Sequence, residues 1–309
     1  MAPRHTLLGV VGLLLAGGAA AAGAPAAEPG AAPTASPVLI PAPRFGQFEW
    51  QGEALDTEWH LPPGGSAPRA WVLLQHGFTR RCAHLRTTAA HLAARAHVAT
   101  LCINADVARG APGLADALAR WWAGPDAVAP DGRPPPAAWV VAGHSAGGLF
   151  AARVGAVLHA QAPQRLAGAL LLDPVGGAAL AEALSLVGAQ GTRPVRAVMA
   201  PPVPCNAQHL ALPALARVQR EAADAGRAAP PPGVGVVLAS GTHVDAEGED
   251  TDALAVRACR EGPPQPDNVS ALRAWSVHWL EAMLAPNETL ASVSTPPAAA
   301  SASWRPLVP

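Results

Sequence analysis

Six short apolar runs divide the chain: residues 71–75, 98–103, 137–142, 166–172, 195–200 and 234–239. Each is too brief for a helix of ordinary length and lacks the polar alternation of a half-exposed strand, so each reads as a strand buried on both faces. Between them lie segments with apolar positions at helical spacing: 83–96, 114–122, the stretch opening at Gly148, 210–225 and a closing helix at 271–284. Strands alternating with helices predict an α/β protein with a mostly parallel central sheet and helices on both faces. Two more strands, near 48–51 and 58–61, fit an antiparallel start to that sheet.

The ends read differently. Met1–His5 is a short positive segment, followed by an apolar stretch from Leu7 to Leu15 and then small residues through Ala27. This is the pattern of a secretory signal peptide, expected over 1–27. No cysteine lies near the expected cleavage region for a lipid anchor, and no later segment is apolar enough to span a bilayer. The expectation is a secreted or periplasmic protein with no stable membrane anchor after cleavage. Residues 28–45 read as a flexible Ala/Pro-rich leader, 46–285 as the folded domain and 286–309 as a disordered tail.

Composition narrows the function. A net charge of −1 provides no basic surface for nucleic acid. All 21 cationic residues are Arg, and Tyr is absent, which reads as coding bias. Four cysteines, Cys82, Cys102, Cys205 and Cys259, form an even set suited to two disulfides in an oxidising compartment. Count alone leaves three pairings open. The places of the cysteines favour Cys205 with Cys259, bracing the loop after the last strand, and Cys82 with Cys102 across neighbouring strand ends. With no C-x-x-C pair, a structural zinc site is not expected; no metal or organic cofactor is implied.

The chemistry centres on Gly143-His144-Ser145-Ala146-Gly147, directly after the third apolar run. A buried strand entering G-x-S-x-G and leaving as a helix is the context of a nucleophile elbow. A serine hydroxyl there needs a base and an acid that orients the base. Asp173 ends the next strand, while the loop after the strand at 195–200 contains no carboxylate, so Asp173 is the expected acid. His243 follows the last strand at the same sheet edge and is the expected base. His209, His278 and His159 fall on helices and read as packing or surface residues. The oxyanion hole is expected from the backbone N–H groups of Ala146 and of Phe78, in the loop His76-Gly77-Phe78 after the first apolar run. His76 reads as a buried, hydrogen-bonded residue that holds this loop.

Together these residues resemble the α/β-hydrolase superfamily, over about residues 48–284. Within it, the Gly143–Gly148 elbow, Asp173-Pro174-Val175 and His243-Val244-Asp245 resemble chlorophyllases and secreted bacterial esterases of the cutinase and polyester-hydrolase kind. The resemblance implies hydrolysis of carboxylic esters, whether small, lipid or polymeric, through an acyl-enzyme with a Ser145–Asp173–His243 triad. Acyl transfer by the same triad, or a non-catalytic binding role on the same fold, are the alternatives. The interval between Asp173 and Val195 has room for one helix, so no cap domain and an open site are expected. The acidic stretch Asp245, Glu247, Glu249, Asp250 and Asp252 reads as a solvated loop lacking calcium-loop spacing. Trp121 and Trp122 read as core.

Overall fold

The computed structural model describes residues 41–227, 233–285, 297 and 302–308. The expected signal peptide and all of the leader up to residue 40 lie outside the described residues. The chain enters through a hairpin of β1 (Arg44–Trp50) and β2 (Glu53–His60). Its two-residue loop, Gln51-Gly52, has positive φ at both positions (53° and 81°), the turn that matches strand twist.

Six strands follow in parallel: β3 (Ala70–Gln75), β4 (Ala99–Ile103), β5 (Ala138–His144), β6 (Leu166–Leu172), β7 (Val195–Met199) and β8 (Gly235–Leu238). With β9 (Trp304–Pro306), the sheet runs β1-β2-β4-β3-β5-β6-β7-β8-β9. The first two strands and the last run antiparallel to their neighbours.

Two expectations at the ends need correction. β1 begins at Arg44, inside the segment read as leader. Part of the segment read as a disordered tail, Trp304–Pro306, pairs with β8, and Leu307 is buried beside it. Three residues within a Ser/Ala/Pro-rich stretch have no periodicity to reveal a strand; only the open edge of β8 makes them one.

Helices cover both faces. On one side lie α2 (Pro112–Ala123), α3 (Gly147–Gln161), α4 (Ala178–Val187) and α5 (Leu212–Asp224). On the other lie α1 (Arg86–Arg95) and α7 (Pro266–Leu284). The strand period of two sorts the core accordingly. Trp71, Leu73, Trp139 and Val141 face the first layer; Val72, Leu74, Val140 and Ala142 face the second. Trp122 is fully buried against Trp71 and Trp139, in the core as expected, while Trp121 is partly buried and packs against that core from its rim. The connection from β6 to β7 carries the single helix α4 and no cap. A short helix, α6 (Ala253–Cys259), stands between β8 and α7. Both expected disulfides form, Cys82–Cys102 and Cys205–Cys259.

Candidate active site

Ser145 sits between the last residue of β5 and the first of α3, at φ +55°. That conformation is costly for a residue with a Cβ and persists only where its surroundings impose it. Here they do. The Ser145 N–H donates to the Leu172 carbonyl (3.1 Å), and its own carbonyl accepts from Gly148 and Val175 (3.0 Å each). A Cβ on Gly143 would lie 2.3 Å from the Gly147 carbonyl oxygen, and one on Gly147 would lie 2.3 Å from that of Gln75. Both positions therefore require glycine: the turn closes only where backbone touches backbone.

Asp173 follows β6 and also takes a positive φ, +42°. Its N–H donates to Val198, tying it to β7 (2.7 Å). The buried carboxylate accepts from the Ala200 N–H (3.2 Å) and from Asn206 Nδ2 (3.2 Å to each oxygen). Its Oδ2 accepts from His243 Nδ1 at 2.6 Å. A proton on Nδ1 leaves Nε2 of a neutral ring as the basic nitrogen.

His243 opens a tight turn, His243–Ala246, after β8. Side chains fix that turn from several directions. Asp245 accepts from the Thr242 N–H (2.6 Å) and the Gln265 N–H (3.1 Å). The His243 N–H donates to Glu261 Oε2 (2.9 Å), and the His243 carbonyl accepts from His144 Nε2 (2.9 Å). A carbonyl can only accept, so His144 carries its proton on Nε2. Burial, then the neighbouring His243, holds the His144 ring well below its ordinary range, and therefore neutral.

Ser145 and His243 line one cleft of about 280 Å³ with Phe78, Leu254, Ala258 and the Cys205–Cys259 bridge. No hydrogen bond joins Ser145 to His243 among the described residues. Such contacts are often loose before substrate arrives. One wall of the cleft comes from α6, in the segment between β8 and α7, and another from Gly77–Arg80.

The loop expected to complete an oxyanion hole lies against the serine. A Cβ on Gly77 would meet the Ser145 Cβ at 2.9 Å. Gly77–Arg80 forms a turn closed by Arg80 N–H to the Gly77 carbonyl (3.3 Å). Neither Phe78 N–H nor Ala146 N–H is taken up by an acceptor among the described residues, so both donors remain free. His76 is buried, as expected, with ring nitrogens 2.8 Å and 3.1 Å from the Gly77 and Ile103 carbonyls.

The acidic stretch is solvated only in part: Glu249 stays exposed and Asp252 partly so, yet each of its carboxylates is held by a partner. Arg80 grips Glu247 through Nε (2.8 Å) and Nη2 (2.6 Å), and reaches Asp252 through Nη1 (3.1 Å). Asp250 accepts from Thr87, and Glu249 from Arg273. Asp245 and Glu247 are almost completely buried. These carboxylates bind the Phe78 loop and α1 to the His243 turn. Burial pushes Asp245 and Glu261 up, although hydrogen bonds oppose the shift in both.

Sequence reading passes over Asn206, His144, Arg80 and Glu261, whose roles depend on partners distant in the chain. His209 precedes α5 instead of lying in a helix, and its Nε2 donates to the Ala200 carbonyl (2.6 Å). His159 lies on α3 beside Arg193, away from the cleft. Among the described residues, one group of possible metal donors converges, His76, Cys82 and Cys102. Both sulfurs are spent in the disulfide, which leaves a lone imidazole.

No family model matches the chain, and no curated protein matches it in sequence. Solved structures do match. A thermostable esterase from Pseudomonas putida superposes over 80% of this chain and 84% of its own, with TM-score 0.54 and 15% identity. EstE1, a thermophilic carboxylesterase cloned from a metagenomic library, covers 81% and 92%, with TM-score 0.51 and 17% identity. The fold is that of the α/β-hydrolases. In this α/β-hydrolase fold the groups described above gather at the C-terminal edge of the parallel strands, where open α/β sheets place their ligands.

Proposed function

We propose that the protein is an exported serine hydrolase that cleaves carboxylic esters. The observation that carries this reading is the 2.6 Å bond from His243 Nδ1 to Asp173, with His243 sharing a cleft with a serine held at positive φ. Ser145 Oγ attacks the ester carbonyl while His243 Nε2 takes its proton. Asp173 keeps the imidazole oriented and stabilises the imidazolium. The N–H groups of Phe78 and Ala146 hold the oxyanion. His243 then protonates the departing alcohol, and water, activated by the same nitrogen, releases the acid from Ser145. Two disulfides support export. The exposed Phe78 and Leu254 at the cleft support an apolar ester of the kind cut by the secreted esterases the motifs resemble.

The test is hydrolysis of p-nitrophenyl esters from acetate to palmitate, by purified mature protein beside Ser145→Ala. Turnover should fall by roughly 10⁴-fold or more in the variant. Equal rates in the two proteins would refute the proposal.

A further inference from the structure

The sheet has a second edge, where the parallel strands begin. There, at the far end of β7 from Asp173, a cavity of about 400 Å³ opens between α5 and α7. Its lining holds three arginines, Arg193, Arg196 and Arg227, and no carboxylate among the described residues. At the opposite edge arginines are matched: Arg80 with Glu247, Arg86 with Glu58, Arg273 with Glu249. Here Arg193 donates to the carbonyls of Val187 and Pro163 and contacts the His159 ring, and Arg227 donates to Thr192. A carbonyl satisfies an N–H but does not cancel a charge.

Arg196 is the decisive residue. It is only 7% exposed and lies on the same sheet face as Val198, beneath α7. Nη1 donates to the Val195 carbonyl (3.1 Å). Nε and Nη2 bond to no described residue. In Arg80 and Arg86 that same Nε–Nη2 edge holds a carboxylate by two parallel bonds. Burial lowers Arg196 to about 10, which still leaves it charged at neutral pH. A buried guanidinium with no counter-charge among the described residues is expensive, and an anion seated on its free edge would offset that cost.

The rest of the wall selects the ligand. Val218, Ala222, Val234 and Met283 make it largely apolar. The C-terminal turns of α5 and α7 border it, and their carbonyl dipoles favour cations and penalise multiple negative charge. A single negative charge on a flat group with an apolar body meets both conditions. We propose that this cavity binds a small organic carboxylate, gripped side-on by the Nε–Nη2 edge of Arg196, with Arg193 and Arg227 supplying further positive field and Val218 and Met283 packing against its body.

Calorimetric titration of the mature protein with sodium benzoate tests this, with inorganic phosphate as the comparison anion. Benzoate should bind at one saturable site and more tightly than phosphate. Arg196→Met should weaken benzoate at least about tenfold, and Arg227→Ala, at the exposed rim, about threefold. Neither substitution should change p-nitrophenyl ester turnover. If Arg196→Met does not fold, Arg227→Ala carries the test. Absence of saturable benzoate binding, binding that neither substitution weakens, or phosphate binding tighter than benzoate would each overturn the proposal.

Discussion

The serine and the histidine reach the same cleft by opposite means. Around Ser145 the structure is backbone against backbone: two glycines that tolerate no Cβ, and carbonyls and N–H groups shared with β3 and β6. Around His243 it is side chain against everything: His144, Glu261, Asp245, Arg80 with Glu247, and a disulfide that closes 54 residues. The elbow is a local object that the sheet encloses. The histidine turn is a junction assembled from distant parts of the chain. Damage to the first should be all-or-none, whereas damage to the second should be graded.

The strongest attack on this contrast is Gly147→Ala. One methyl group would have to displace the Gln75 and His76 carbonyls, which lie 2.3 Å and 2.4 Å from the added carbon. The expected cost is about 4 kcal/mol or more, enough to remove most folded, active protein. Soluble expression and thermal unfolding would show it. A variant of near-normal Tm would mean that the elbow yields more readily than its contacts imply.

Next comes the bridge. Replacing Cys205 and Cys259 together by Ser should cost roughly 2–4 kcal/mol, read from denaturant unfolding. The same bridge lines the cleft, so turnover should fall as well. Replacing Cys82 and Cys102, whose loop is shorter, should cost less stability and spare turnover. Equal losses of activity in the two double variants would erase the distinction between a junction built around His243 and a general staple.

His144→Phe addresses a single contact of the junction. The ring volume is nearly kept, and the bond to the His243 carbonyl is lost. The expected result is a kcat lower by about 10- to 100-fold with little change in KM, because His144 acts through the placement of His243. A matched rise in KM would instead assign the ring to the substrate wall.

The same division decides what could be read from sequence. The elbow is legible because its determinants are five consecutive residues after an apolar strand. The meeting of Asp173 and His243 at one edge is legible because strand ends deliver both of them there. The partners are not. His144 lies 99 positions from the carbonyl it holds, and Arg80 lies 167 from Glu247. Nothing in a local window distinguishes a paired carboxylate from a solvated one, so the stretch from Asp245 to Asp252 reads as surface. β9 is hidden for a related reason: three residues become a strand only because β8 leaves an edge open.

Acid provides the mildest probe of the difference, since the elbow has no titrating side chain other than His144, while the junction has several. The Asp252 carboxyl is held at about 2 by the Ala255 N–H first, against an opposing effect of burial, with Arg80 lowering it further. A carboxyl lowered in the folded protein contributes stability above its ordinary range, near 3.8, and loses it as pH falls toward 2. Asp245 and Glu261 run the other way. Burial raises them, so they take up protons earlier in the folded protein and offset the loss at the upper end of the range. The net weakening of the junction therefore belongs between about pH 4 and 2. Asp252 is 45% exposed, so water and salt screen the pair, and the effect should stay within about 1 kcal/mol. Asp252→Asn should flatten the fall of Tm with pH across that window and leave Tm near pH 7 only slightly lower. Hydrogen exchange should show residues 243–252 opening before residues 143–150. If both segments open together as the pH falls, the junction and the elbow are a single cooperative unit, and the contrast between them is one of construction alone.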